Sequence, residues 1–247
     1  MKNNKRQLVL GDPHGCYKGM LQCFERSNFD KEKDELIVLG DVCDGWSQVK
    51  ECFDLLLECK NLIYVIGNHD KWALDWYTGA YIDGGLPDFW WTSQGGQATI
   101  DSYGGIKERM NPSHIAMIRG GHVAFEQSKN NRKQLFVHGG IDPNKKLENQ
   151  DPEIVMWDRQ LFESAHQKHY QKRKLKFGGY DDIFIGHTAC QKKNKNNEPI
   201  PCHFCNVWNL DTGAGWSGVL TIMDAKTKKY WQSDDVEELY SDEKGRR

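Results

Sequence analysis

Short unbroken apolar runs punctuate the first third of the chain: Leu8-Val9-Leu10, Leu36-Ile37-Val38-Leu39, and Leu62 to Ile66 in "NLIYVIGNHD". Between them the apolar positions change period. "CYKGMLQCFERSNF" sets Met20, Leu21 and Phe24 at helical spacing. "SQVKECFDLLLECK" does the same behind Ser47, a residue suited to cap a helix. Strand, helix, strand, helix, strand at this spacing predicts a parallel sheet with helices on its faces. Strands buried on both faces have no reason to alternate with polar residues, hence the continuous runs.

The pattern loosens farther along. "DKWALDWYTGAYIDGGLPDFWW" concentrates aromatic residues, and "QGGQATIDSYGG" and "NPSHIAMIRGG" predict short helices bounded by glycine. "HVAFEQSKNNRKQLFVHGG" predicts two strands around a polar turn. "DPEIVMWDRQLFESAHQKH" predicts a helix capped by Asp151, with Pro152 in its first turn. "DDIFIGHT" is a further strand, and "VWNLDTGAGWSGVLTIMDAKTKKYWQSD" predicts two or three antiparallel strands. The polar stretch over 236–247 is expected to fray. No internal repeat or linker divides the 247 residues, so residues 1–247 are expected to form a single domain.

Composition narrows the possibilities. Thirty-three basic and 35 acidic residues give a net charge of -2, which argues against a protein that coats nucleic acid, and no stable nucleic-acid complex is expected. No stretch approaches the ~18 apolar residues of a membrane span, and the apolar run near the start is too short for a signal peptide. A soluble, monomeric, cytoplasmic protein is expected, with its eight cysteines reduced. "PCHFCN" holds Cys202 and Cys205 as a C-x-x-C, but without a second such pair it fits small buried residues at a strand start better than a zinc site.

The chemistry sits where the apolar runs end. Each stops in a polar cluster: Asp12 with His14, Asp41 with Asp44, Asn68 with His69 and Asp70, His138 before Gly139-Gly140, and His187 in "IGHT". The carboxyl ends of strands in sheets with helical crossovers are where sites assemble. A lone Asp there is an ordinary helix cap, and a lone His an ordinary core residue. Capping, however, does not require His, Asn and glycine pairs at five strand ends. Oxygen and nitrogen donors without thiolate suit Mn²⁺, Fe or Zn²⁺. An Asp shared between two such cations, about 3.5–4 Å apart, would allow a hydroxide to attack phosphorus in line.

"GDPHG", "GDVCD", "GNHD", "HGG" and "GHT" resemble, in order and spacing, the motifs of the calcineurin-like metallophosphoesterases. The likeness is greatest to the phosphoprotein phosphatase branch, in particular the small lambda-type serine/threonine phosphatases of bacteria and phage. It runs from Leu8 to about Asp224. The resemblance implies an α/β fold of four layers, α/β/β/α, with two mixed sheets flanked by helices. It implies two divalent metal ions, with manganese first and iron or zinc as alternatives. Asp12 and His14 would bind the first, Asp41 would bridge, and Asn68, His138 and His187 would complete the second. Asn68 would also touch the substrate phosphate. His69, oriented by Asp44, would protonate the leaving oxygen, and Arg159 in "MWDRQ" would grip the phosphate. Arg159 in an ordinary surface salt bridge is the competing reading.

The chain departs from that pattern at two points. The second motif normally continues Asp-Arg-Gly, but here reads Asp44-Gly45-Trp46, so a phosphate-holding arginine is missing. Weaker capture of monoester dianions is expected unless Lys71 or another basic residue substitutes, and Gly45→Arg is expected to raise monoester turnover. Trp46 would either stack on a base or fill core space. The third motif ends in Asp70 where the branch has Glu. Trp72, Trp76, Tyr77, Trp90 and Trp91 are expected to pack helices, while Asp211 and Gly213 are expected to serve as scaffold. The basic runs over 166–177 and 191–196 could steer an anion or be plain solvated surface.

The expected activity is hydrolysis of phosphomonoesters, as a serine/threonine protein phosphatase. The alternatives are a nucleotide or nucleic-acid phosphoesterase, favoured by Gly45 and Trp46, and a catalytically dead binding module.

Overall fold

The three early apolar runs become β1 (Gln7–Leu10), β2 (Glu35–Val38) and β3 (Leu62–Tyr64), with α1 (Tyr17–Ser27) and α2 (Val49–Leu57) as the crossovers. β1 pairs parallel with β2, and β2 with β3. The computed structural model describes residues 5–80, 82–83, 86–87, 89–129, 131–171 and 175–246. Next come α3 (Asn68–Thr78), a hairpin of β4 (Ile82–Asp83) and β5 (Leu86–Pro87), α4 (Phe89–Trp91), α5 (Gln97–Ser102) and α6 (Pro112–Arg119). The second half supplies β6 (Ala124–Lys129), β7 (Arg132–Val137), α7 (Pro152–Trp157), α8 (Gln160–Tyr170) and β8 (Asp182–Ile185). It closes with β9 (Cys202–Phe204), β10 (Val207–Asn209), β11 (Thr221–Asp224), β12 (Tyr230–Gln232) and α9 (Val236–Leu239).

Two mixed five-stranded sheets result, in the orders β12-β11-β1-β2-β3 and β6-β7-β8-β10-β9. Alternate side chains of each strand face opposite layers. Val9, Ile37, Phe136, Phe184 and Met223 form the buried seam between the sheets, where Phe136 and Phe184 stack with centroids 4.9 Å apart. Leu8, Leu10, Leu36 and Val38 face α1 and α2, while Leu135, Val137, Ile183 and Ile185 face α7 and α8. Each such side chain contributes about 1.5–3 kcal/mol by its burial. The four-layer α/β/β/α sandwich implied by the resemblance is the observed architecture.

Several local expectations change. Ser47 does not cap α2, which starts at Val49; its hydroxyl donates to Glu243 Oε1 at 2.7 Å. The single helix expected after Asp151 is two. Asp151 does cap α7, but Asp158 turns extended and its carboxylate accepts from the N–H of Gln160 and Leu161, starting α8 afresh. β10 pairs parallel with β8 and antiparallel with β9, so the strands expected to run antiparallel are divided between the sheets.

The stretch expected to fray over 236–247 is instead docked through residue 246. Val236, Leu239 and Tyr240 share one face of a short helix; Val236 and Tyr240 are buried, and Tyr240 stacks on Trp46 at 5.0 Å. The abundance of charged residues hid this i, i+3, i+4 pattern. Trp46 itself is fully buried and donates from Nε1 to the Ala214 carbonyl at 2.6 Å, so it fills the core and is not available to stack on a base.

Cys202 and Cys205 point apart: Cys202 Sγ donates to Asn194 Oδ1 and Cys205 Sγ to the Ala165 carbonyl. Among the described residues no cysteine joins a cluster able to hold a metal ion. Of the basic run over 166–177, Lys172, Arg173 and Lys174 lie outside the described residues. No described helix is long and apolar enough to cross a membrane.

Candidate active site

Asp12 and His14 follow β1, Asp41 and Asp44 follow β2, Asn68 and His69 open α3, His138 follows β7 and His187 follows β8. Both sheets present these ends to one edge, so all of the clusters meet. His14, Asp41, Asp44 and His187 have φ of +47°, +51°, +69° and +65°. Left-handed backbone is unfavourable for residues with a Cβ, though Asp, Asn and His tolerate it best. Such strain concentrated at one edge is typical of functional sites.

Asp41 belongs to two groups of converging ligand atoms, one with Asp12 and His14, the other with His138 and His187. Asp41 Oδ2 lies 3.2 Å from His138 Nε2 and 3.6 Å from His14 Nε2. Asn68 Oδ1 lies 3.1 Å from His138 Nε2. His14 donates from Nδ1 to the Cys43 carbonyl at 3.0 Å, and His138 from Nδ1 to the Leu39 carbonyl at 2.7 Å. These bonds fix the tautomers and aim both Nε2 lone pairs inward.

Carboxylate, amide oxygen and imidazole lone pairs thus face one another, an arrangement that only cations or protons can satisfy. Asp12 Oδ1 and His187 Nε2 are buried without a hydrogen-bond partner. A Cβ at Gly67 would overlap Asp41 Oδ1, and one at Gly186 would overlap Asp12 Oδ1, so glycine lets the backbone close around these carboxylates. The residues fit a pair of divalent cations.

The electrostatics agree. Burial, then Asp211, raises Asp12 well above the usual carboxylate range. Burial also works against Asp41, yet His138 and His69 hold it well below that range. Against its own burial, His138 is pushed up to about 9 by Asp41: a proton takes up the negative charge that a cation would otherwise balance. Burial followed by Arg246 lowers His14, and burial followed by His138 lowers His187.

His69 stands beside these groups without joining them. Its backbone N–H donates to Asp41 Oδ1 at 3.0 Å, and its Nδ1 lies 2.6 Å from Asp44 Oδ2. Asp44 is held from both sides, by Trp91 Nε1 at 2.8 Å and the Thr99 hydroxyl at 2.6 Å. Trp72 meets the His69 ring edge-on at 4.8 Å. Trp72, Trp76 and Trp91 are buried and Tyr77 is half-buried, as expected of helix packing, whereas Trp90 is exposed; Trp91 and Thr99 also fix the catalytic candidate Asp44, a role not legible in the sequence.

Asp70 is no ligand. Its carboxylate accepts from the backbone N–H of Gly67, Asp41, Val42 and Cys43 at 2.8–3.1 Å, tying the second and third clusters together. Asp211 is buried and accepts from the Gly213 N–H, the scaffold role expected of it. Arg159 lies at the break between α7 and α8 and donates to the His187 carbonyl and Thr188 Oγ1, both at 3.0 Å. It therefore sits at the site and not in a surface ion pair. Lys71 is engaged by Asp75 instead of the site.

Gly45 has φ +98°, and a Cβ there would lie 2.9 Å from the His14 carbonyl oxygen. This reverses the sign expected above: Gly45→Arg should lower p-nitrophenyl phosphate turnover, because it strains the loop that carries Asp44 against the loop that carries His14. A variant faster than the wild type would show that the loop adapts.

Residues 5–191 match the family model for calcineurin-like phosphoesterases. The chain belongs to that family. It is accordingly a metal-dependent phosphoester hydrolase, of a family built on a binuclear divalent metal centre. Among relatives of this calcineurin-like phosphoesterase, the serine/threonine-protein phosphatase 1 of Salmonella typhimurium is 24% identical over 233 residues, covering 90% of this chain and 92% of that one. The symmetrical bis(5'-nucleosyl)-tetraphosphatase of Coxiella burnetii is 30% identical over 74 residues, 30% of this chain and 25% of the other. A crystal structure ascribed to a diadenosine tetraphosphatase superposes with a TM-score of 0.66 at 14% identity, covering 94% of each chain, and supports the fold.

Proposed function

We propose that this phosphoesterase is a serine/threonine protein phosphatase, a monomer of the cytoplasm working with two manganese ions. Asp12, His14, Asp41, Asn68, His138 and His187 would hold the pair, with Asp41 between them. The observation that carries the reading is the His69–Asp44 pair beside that ligand set, placed to supply a proton to a leaving alkoxide.

The cations, when bound, would lower the pKa of an attacking water and neutralise phosphate oxygens. The protein residues do the rest. Asp44 accepts from His69 Nδ1 at 2.6 Å, which fixes the ring and leaves Nε2 to serve the leaving oxygen as general acid. With Asn68 Oδ1 turned to the ligand set, its NH₂ is left to donate to the phosphate. Arg159, fixed through two hydrogen bonds, offers its remaining N–H groups to the non-bridging oxygens.

Two observations favour a phosphoprotein. The likeness to the Salmonella protein phosphatase spans nearly the whole of both chains, whereas the likeness to the Coxiella tetraphosphatase is confined to 74 residues. Trp46, named above as a base-stacking candidate, is buried. The nucleotide reading keeps the support of that shorter match. With manganese-loaded protein, a phosphopeptide and p-nitrophenyl phosphate should turn over at least tenfold faster than bis-p-nitrophenyl phosphate or a dinucleoside tetraphosphate. The reverse order would select the nucleotide reading.

A further inference from the structure

We infer that Arg246 is a phosphate-gripping residue of this enzyme, carried into the site by the 236–246 segment to the place that Gly45 leaves open. It would make the site selective for phosphomonoester dianions.

The first support is a built slot. The stem of Arg246 runs between glycines of three separate loops: a Cβ on Gly45, Gly95 or Gly215 would lie 3.2, 3.0 or 2.9 Å from its Cγ or Cδ. Its backbone N–H donates to the Gly215 carbonyl at 3.0 Å. The segment behind it is fastened to the loop after β2. Glu243 accepts from the Ser47 N–H and hydroxyl, and Tyr240 donates to Gln48 Oε1 at 2.8 Å while stacking on Trp46.

The second support is where the guanidinium ends. Nε donates to the Gln94 carbonyl at 3.3 Å, and the group lies 4.9 Å from the Trp216 ring centroid. Nη1 is 3.2 Å from His14 Nε2, the lone pair aimed at the first cation position. Arg246 and Arg159 line one cavity of about 500 Å³ together with His187, Asp211 and Trp216. Once a cation claims His14 Nε2, Nη1 loses its acceptor, and two positive groups are left side by side. An anion resolves both problems. A phosphate at the cation pair would reach the cavity that both arginines line, and a dianion meets two guanidinium groups better than a diester's single charge does.

The inference rests on the phosphomonoesterase reading above, and the test separates the two. Arg246→Met keeps the aliphatic stem in its slot and removes the charge; Arg246→Lys keeps the charge without the fork. For manganese-loaded Arg246→Met, the KM for p-nitrophenyl phosphate and the Ki for inorganic phosphate should rise on the order of tenfold to a hundredfold. Turnover of bis-p-nitrophenyl phosphate should change much less, and Arg246→Lys should recover part of the loss. An active wild type whose Arg246→Met matches it within twofold in both constants overturns this inference alone. So does a variant that binds manganese more tightly and works faster, since Arg246 would then be blocking His14. If Arg246→Met fails to fold, Arg246→Lys decides: wild-type phosphate inhibition in that variant overturns the forked contact. A wild type without manganese-dependent turnover overturns the proposed function and this inference with it.

Discussion

Asp41→Asn should abolish manganese-dependent turnover, with a loss of about 10³-fold or more. Asp41 is the one carboxylate common to both groups of converging ligands. Replacing it by an amide would remove the negative charge that the two proposed cation positions share. Metal stabilisation of transition-state charge is worth several kcal/mol, and each 1.36 kcal/mol is a decade in rate. The amide oxygen can still accept the His69 N–H that Asp41 Oδ1 accepts at 3.0 Å, so the variant should fold. A second readout does not depend on catalysis. Manganese at a hundred times its Kd should stabilise the wild type by about 2.7 kcal/mol, an upward Tm shift of roughly 5–10 °C for a chain of this size. Asp41→Asn should lose most of that shift. A variant that keeps both the shift and the turnover would remove Asp41 from the metal centre.

His69→Asn should lower kcat by about 10²–10⁴-fold, the usual worth of a positioned general acid. The loss should depend on the leaving group. A phosphoserine peptide expels a strongly basic alkoxide and needs the proton. p-Nitrophenyl phosphate expels a stable phenolate and needs it far less, so its loss should be at least tenfold smaller. The geometry behind this is specific: Asp44 Oδ2 at 2.6 Å from Nδ1 leaves Nε2 as the only ring nitrogen able to serve the substrate. Equal losses on the two substrates would place His69 among the groups that shape the site instead of those that move a proton.

The sequence made the site legible because its parts lie at strand ends. Asp12, Asp41, Asn68, His138 and His187 each follow an apolar run within a few residues, and parallel strands with crossovers must bring such ends together. The sheets were legible for the same reason. What escaped depends on contacts that no local window contains. Thr99 reaches Asp44 across 55 positions, and Ser47 reaches Glu243 across 196. The parallel pairing of Val207–Asn209 is decided by β8 and not by its own three residues. The break at Asp158 could have been suspected, since an Asp two residues before a new apolar face is a ready cap, but the pattern continued through it. Arg246 meets His14 across 232 positions, beyond the reach of any local window.

The left-handed backbone at His14, Asp41, Asp44 and His187 has a practical consequence for dissecting this centre. Alanine there would remove a functional group and also place in the turn a residue without the short polar side chain that eases this conformation, adding unrelated strain. Asparagine is at home in that conformation. Scans built on asparagine would therefore report chemistry at these four positions, where alanine scans would report chemistry mixed with misfolding.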